Sequence, residues 1–144
     1  MTRSQRLKRI VDLNDMQKSV AAQKLAASRA RQEDAMRKLE DFQRYREEYA
    51  QNLVAPGRLA TAADMLETRK FMTQLERTIG ALEQMVRRAQ GECAQDLAAW
   101  KRESQRGNVL GDILGRYVHG ENHEAEGRLQ REIDDRARTF SSID

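Results

Sequence analysis

Met65, Thr68, Met72, Leu75, Ile79, Leu82, Val86, Ala89, Cys93, Asp96 and Trp100 follow one another by alternating steps of four and three, and nine of these eleven residues are apolar. A straight helix of 3.6 residues per turn would carry such a seam off its line by about 20° per heptad, so a sustained 3.5-residue repeat marks a helix that supercoils left-handedly along a partner. Composition agrees. Of the 144 residues 39% are apolar, 5% aromatic and 34% charged, with a single proline. That balance leaves too little apolar surface for a sizeable globular core, and it favours residues that lose little side-chain freedom in a helix. The regular spacing also argues against disorder through the middle of the chain.

The partner helix lies upstream. Residues 1–53 contain neither glycine nor proline and read as helix one, with Thr2 or Ser4 as N-cap. Residues 54–60 hold the one Pro-Gly pair, Pro56-Gly57, and read as a hairpin turn, because proline removes a backbone donor and glycine tolerates positive φ. Residues 61–106 form the coiled-coil part of helix two, with Thr61 or Thr68 available for capping or for the helix surface. Ala35, Leu39, Phe42, Arg46, Tyr49 and Leu53 supply the facing stripe on helix one, continued upstream by Leu7, Ile10 and Leu13. Between them Ala21, Ala22, Ala26, Ala27 and Ala30 allow close approach but bury little area. A short turn makes the neighbours antiparallel, and with the pivot at the Pro-Gly pair facing residues have numbers summing to roughly 111. That places Ile10 near Trp100 and Phe42 near Arg69. The fold class is therefore all-α, a long two-helix antiparallel coiled coil with helix two overhanging helix one.

Residues 107–144 form the overhang. Five of the eight glycines fall there, Gly107, Gly111, Gly115, Gly120 and Gly127, and each weakens a helix by roughly 1 kcal/mol relative to alanine. A hinge or a frayed helix is expected. Leu129, Ile133, Ala137 and Phe140 then restore an apolar stripe with no partner evident in the chain, which reads as a docking face.

Charge and chemistry narrow the function. With 26 basic against 23 acidic side chains the formal charge is only +3, a mixed-sign surface that does not favour nucleic acid as a partner. Arg3, Arg6, Lys8 and Arg9 form one basic run near the start, and Glu121 to Asp135 leans acidic. The lone Cys93 excludes an intramolecular disulfide and a paired-cysteine zinc site, and suits reducing cytosol. No stretch approaches the roughly 20 apolar residues of a membrane span, and Met1 to Val20 lacks a signal-peptide apolar block, so a soluble, unprocessed chain without direct membrane insertion is expected. No Gly-Lys-Ser/Thr phosphate loop occurs, and carboxylates on a two-helix rod have no cleft to shift their pKa values. Catalytic residues, cofactors and metals are accordingly expected to be absent. His119 and His123, four apart beside Glu124, lack a third converging ligand. Cys93 and most methionines read as seam filling, and Trp100 as a seam residue near the base.

Two aromatic residues miss the seam. Phe71 precedes seam position Met72 and Tyr45 precedes Arg46, so each is rotated about 100° from the centre line. Across the two helices they form an exposed patch with Tyr49 and Leu75 at its edge, and clustered exposed aromatics on a polar surface mark binding.

The segments Tyr45-Arg46-Glu47-Glu48-Tyr49, Phe71-Met72-Thr73-Gln74-Leu75-Glu76-Arg77-Thr78-Ile79 and Ala99-Trp100-Lys101-Arg102-Glu103, in this order on a two-helix layout, resemble the FliJ-type proteins of the flagellar type III export apparatus. The resemblance implies a stalk that inserts into a hexameric export ATPase, contacts the cytoplasmic domain of the export-gate membrane protein and escorts substrate-specific export chaperones. It implies a cytoplasmic location, peripheral at the inner-membrane export apparatus. Carried over by position, Tyr45, Tyr49, Phe71 and Leu75 form the gate-binding patch, while Thr78 and Leu82 depart from the family pattern. Arg3, Arg6, Ile10, Trp100, Ile133 and Phe140 fall to the end gripped by the ATPase. The alternatives are the equivalent stalk of a virulence injectisome, a homodimeric structural coiled coil, and a basic rod that binds nucleic acid.

Overall fold

A computed structural model describes residues 1–53 and 61–143. It holds two helices packed against each other, α1 (Arg3–Leu53) and α2 (Ala62–Ser141), and no strand among the described residues. The all-α helical hairpin read from the sequence is the observed fold. The turn assigned to 54–60 lies outside the described residues.

Both helices begin at a reciprocal cap. The Thr2 amide donates to Gln5 Oε1 at 3.0 Å while Thr2 Oγ1 accepts from the Gln5 amide at 3.3 Å. The Thr61 amide likewise donates to Asp64 Oδ2 at 3.2 Å, and Thr61 Oγ1 accepts from the Asp64 amide at 3.1 Å. In each case a threonine and the acceptor side chain three residues later satisfy amides that the helix itself leaves without partners. Thr2 and Thr61 are therefore the N-caps, and Thr68 is a half-buried seam residue instead.

By its internal contacts the chain divides into two units, residues 21–100 and residues 1–20 with 101–144. In the first, Leu25, Ala35, Leu75, Ile79, Leu82, Val86 and Ala89 are the buried apolar residues, with Ile79 only 2% exposed. Thr68, Met72, Cys93, Asp96 and Trp100 continue the α2 seam half-buried, whereas Met65 is exposed and lies outside it. On α1 the seam runs through Ala21, Leu25, Ser28, Gln32, Ala35, Leu39, Arg46 and Tyr49. Of the five alanines expected to line it, only Ala21 does so, and Ala22, Ala26, Ala27 and Ala30 face solvent. Ser28, buried to 1% exposure, spends its hydroxyl on the Leu25 carbonyl at 3.1 Å. Such a bond to the preceding turn lets a small polar side chain sit in an apolar seam without an orphaned donor.

In the second unit the seam passes through Ser4, Leu7, Val11, Asn14 and Lys18 on α1 and through Glu103, Gly107, Leu110, Leu114 and Glu121 on α2. Ile10 and Leu13, expected on the stripe, are 49% and 55% exposed. Counting back from Leu39 by alternating threes and fours arrives at Val11 and Asn14, so the phase of the repeat, not the apolarity of a residue, decides which side chain turns inward.

The expected register also needs correction. Arg46 pairs with Glu76, Arg31 with Glu92, and Tyr49 with Phe71. In the other unit Asn14 meets Glu103 and Ser4 meets Glu121. Across these pairs α1 thus meets α2 six to fourteen residues, on average about three turns, beyond the position that a pivot at the Pro-Gly pair assigns. Phe42 lies beside Leu75 and Thr78 instead of Arg69, and Ile10 and Trp100 fall in different units. Because of this shift the paired part of α2 extends to Glu121, and residues 122–143 are the exposed remainder. All five glycines from Gly107 to Gly127 lie inside continuous α2, so they form neither a break nor a frayed end. Single glycines cost a helix only about 1 kcal/mol each, which its many good helix formers and, up to Glu121, its packing offset.

Candidate functional site

Tyr45, Phe71 and Leu75 are brought to one groove. Heptad phase puts Arg46 and Met72 half-buried on the seam, which leaves the residue just before each, Tyr45 and Phe71, on the same flank of the antiparallel pair. Tyr45 is 62% exposed and Phe71 44%. Leu75, on the seam and buried, forms the floor. Between them lies a groove of about 500 Å³ lined also by Asp41, Phe42, Gln74 and Thr78. Tyr49, half-buried, stands outside this lining but supports it, its ring centroid 4.6 Å from that of Phe71 at a 45° tilt. That spacing lies in the range where aromatic pairs attract beyond the area they bury. Arg46 adds a two-pronged contact, Nη1 to both carboxylate oxygens of Glu76 at 3.3 Å, which at this exposure orients the neighbouring turns more than it stabilises them.

Four lining residues, Asp41, Phe42, Gln74 and Thr78, were not part of the patch read from the sequence. Thr78 stands seven residues after Phe71 and so on the same flank of α2, a signal present in the heptad count itself. Phe42 was assigned to the seam, yet it stands at the seam's edge, 38% exposed, and contributes one wall of the groove.

The second set of candidate residues is distributed over both units. Arg3 and Arg6 are exposed on the first turns of α1, Ile10 is exposed, and Ile133 and Phe140 are exposed on the last turns of α2. Trp100 is half-buried in the other unit. His119 and His123 are exposed, and the described residues contain no group of three or more histidine, cysteine or acidic side chains placed to hold a metal ion. Cys93 is half-buried on the seam.

Glu121 is the notable electrostatic feature. Its carboxylate accepts from Ser4 Oγ at 2.5 Å and from the Ser4 amide at 3.1 Å. These bonds, led by the hydroxyl, hold its carboxyl below the usual glutamate range against a smaller opposing effect of burial. A carboxylate at the start of α1 also meets the positive end of the helix dipole. Since the folded state binds the proton more weakly than the unfolded one, this contact contributes stability above the unfolded pKa and loses it as pH falls through the folded value. A carboxyl-detected NMR titration should show Glu121 protonating below the usual range, and Ser4→Ala should return it upward. An unchanged midpoint in that variant would remove the contact as the cause.

Comparison with known proteins gives one finding. A family model described as "Flagellar FliJ protein" matches residues 3–141. No curated protein and no solved structure shows significant similarity to the chain. Among the described residues no helix is long and apolar enough to cross a membrane.

Proposed function

Because the chain belongs to the flagellar FliJ family, and so to the components of flagellar type III export, we propose that it couples an export ATPase hexamer to the export gate by docking both, and that it escorts substrate-specific chaperones. The observation that carries this reading is the groove itself. Tyr45, Phe71 and Leu75, separated by up to 30 residues of sequence, form one concave aromatic surface contributed by both helices. Aromatic side chains around a small concavity are what a partner's anchoring side chain requires, since they offer large apolar area at low entropic cost. The partner assigned to this groove is the cytoplasmic domain of the export-gate membrane protein, which gives the chain a peripheral position at the inner-membrane apparatus. The ATPase would be met through Arg3, Arg6, Ile10, Trp100, Ile133 and Phe140, of which all but the half-buried Trp100 are exposed.

Phe71→Ala tests the groove assignment. With the ring 44% exposed and stacked on Tyr49, its loss should lower stability by about 1 kcal/mol and leave helicity unchanged well below the unfolding temperature, while weakening binding to the gate domain by roughly tenfold, about 1.4 kcal/mol. Calorimetric titration of the purified proteins reads this directly, and wild-type affinity in the variant would sink the assignment of the patch.

A further inference from the structure

A second feature adjoins the groove. Leu66, Arg69, Lys70, Thr73, Gln74 and Arg77 line a shallow depression of about 410 Å³ along one exposed face of α2, and Gln74 also lines the aromatic groove. Three cations therefore run continuously into the aromatic surface. Other cations of the chain are paired, as Arg31 is with Glu92, Lys38 with Asp34 and Arg44 with Asp41. Along this face acidic neighbours are sparser. The positions three and four before and after Arg69 are Met65, Leu66, Met72 and Thr73, and those around Arg77 are Thr73, Gln74, Gly80 and Ala81, while Lys70 has Glu67 three residues before it. The intrahelical pairing that usually neutralises a helical cation is thus missing at Arg69 and Arg77, and one acidic neighbour stands against three cations. The local field is positive on a molecule whose formal charge is only +3.

Resting on the reading of the groove as the gate-docking site, we infer that the Arg69, Lys70 and Arg77 strip receives an acidic protein surface of the same partner, whose apolar anchor enters the groove between Tyr45 and Phe71. The two walls differ in charge. The α2 side carries the three cations, whereas Asp41 of α1 lines the groove itself, 3.8 Å from Arg44. A uniformly anionic sheet of lipid headgroups or a nucleic-acid backbone would meet the strip favourably but find no excess of positive charge on the α1 wall, where Arg44 is matched by Asp41. A folded protein with acidic residues on one side of an apolar anchor meets both walls well. A concavity walled by aromatic rings from two helices also suits an inserted side chain more than a flat headgroup layer. The strip acts mainly on encounter, since exposed charges raise association rates and are screened by salt.

The test compares full-length wild type, Phe71→Ala and the triple variant Arg69→Gln/Lys70→Gln/Arg77→Gln for binding to the export-gate cytoplasmic domain across a salt series. The triple variant should lose about tenfold in affinity at low salt, mostly through slower association, and converge on wild type at high salt. Phe71→Ala should lose affinity at every salt concentration with an unchanged salt slope. If Phe71→Ala weakens binding and the triple variant keeps the wild-type salt slope, the inference fails while the groove stands. If Phe71→Ala binds like wild type, the groove reading fails first. Vesicles of phosphatidylglycerol form the remaining arm. Capture of wild type but not of the triple variant would assign the strip to lipid and overturn the proposal.

Discussion

Gly107→Ala is expected to destabilise the protein by about 1 to 2 kcal/mol, whereas Gly111→Ala, four residues on in the same helix, is expected to stabilise it by up to about 1 kcal/mol. In an exposed helix interior alanine is the better residue, and a Cβ built at Gly111 meets nothing within 4 Å. At Gly107 the same Cβ falls 2.6 Å from Asn14 Oδ1. That oxygen cannot swing aside freely. Asn14 is 2% exposed, and its amide nitrogen donates to the Glu103 carboxylate at 3.0 Å and to the Glu103 carbonyl at 3.4 Å. Rotating the amide away would break both bonds in a buried layer, at a cost that exceeds the gain in helix propensity. Asn14 Oδ1 has no hydrogen-bond partner, so this layer is poor in stability, and a buried polar residue of this kind in a coiled-coil seam best serves to fix which residues face each other. The double variant Asn14→Ala/Gly107→Ala should recover most of the loss. Urea unfolding followed by circular dichroism measures wild type, Gly111→Ala, Gly107→Ala, Asn14→Ala and the double variant. Additive effects of the two substitutions would rule out the contact between them.

The second large effect is expected at Ile79. At 2% exposure it is the most deeply buried apolar side chain among the described residues, and Ile79→Ala should cost about 2 to 4 kcal/mol, with Ile79→Val costing about 1 kcal/mol. Two helices have few neighbours available to collapse into the resulting cavity, which keeps the penalty near the upper part of that range. The same substitution tests whether function follows stability. Well below its unfolding temperature Ile79→Ala should still bind the gate domain, because Ile79 does not line the groove, while Phe71→Ala should lose less stability and yet bind poorly. A loss of less than about 1 kcal/mol for Ile79→Ala would mean that the seam is looser than its burial indicates.

The heptad count on α2 was legible from Thr68 to Trp100 because its seam residues are mostly large and apolar. On α1 the same geometry is written in Asn14, Lys18, Ala21, Ser28 and Gln32, and apolarity alone pointed to Ile10 and Leu13 instead. The seam there is held by small size, by hydrogen bonding within the layer and by the continuity of the helix, none of which a hydrophobic pattern displays. Register was beyond the sequence for a related reason. It depends on pairwise fit, such as a glycine opposite an asparagine, and the Pro-Gly pair marked that the chain turns without marking where the helices realign. The aromatic groove was visible since a residue one step off a seam has a calculable direction, and an error of about three turns in register still left Tyr45 and Phe71 on matching flanks.

The contact between Ser4 and Glu121 spans 117 residues of chain. An antiparallel pair that closes from its connecting segment outward forms each layer at the least loop entropy, so this contact is the last to be made and the first exposed to reversal. Helix starts usually fray, yet here the first turn of α1 is held from across the pair by a carboxylate whose grip weakens with acid. The order of opening is thereby made conditional on proton concentration: at neutral pH the Ser4 amide exchanges with solvent only after the clasp lets go, and once the pH falls below the usual glutamate range this turn leads the unzipping.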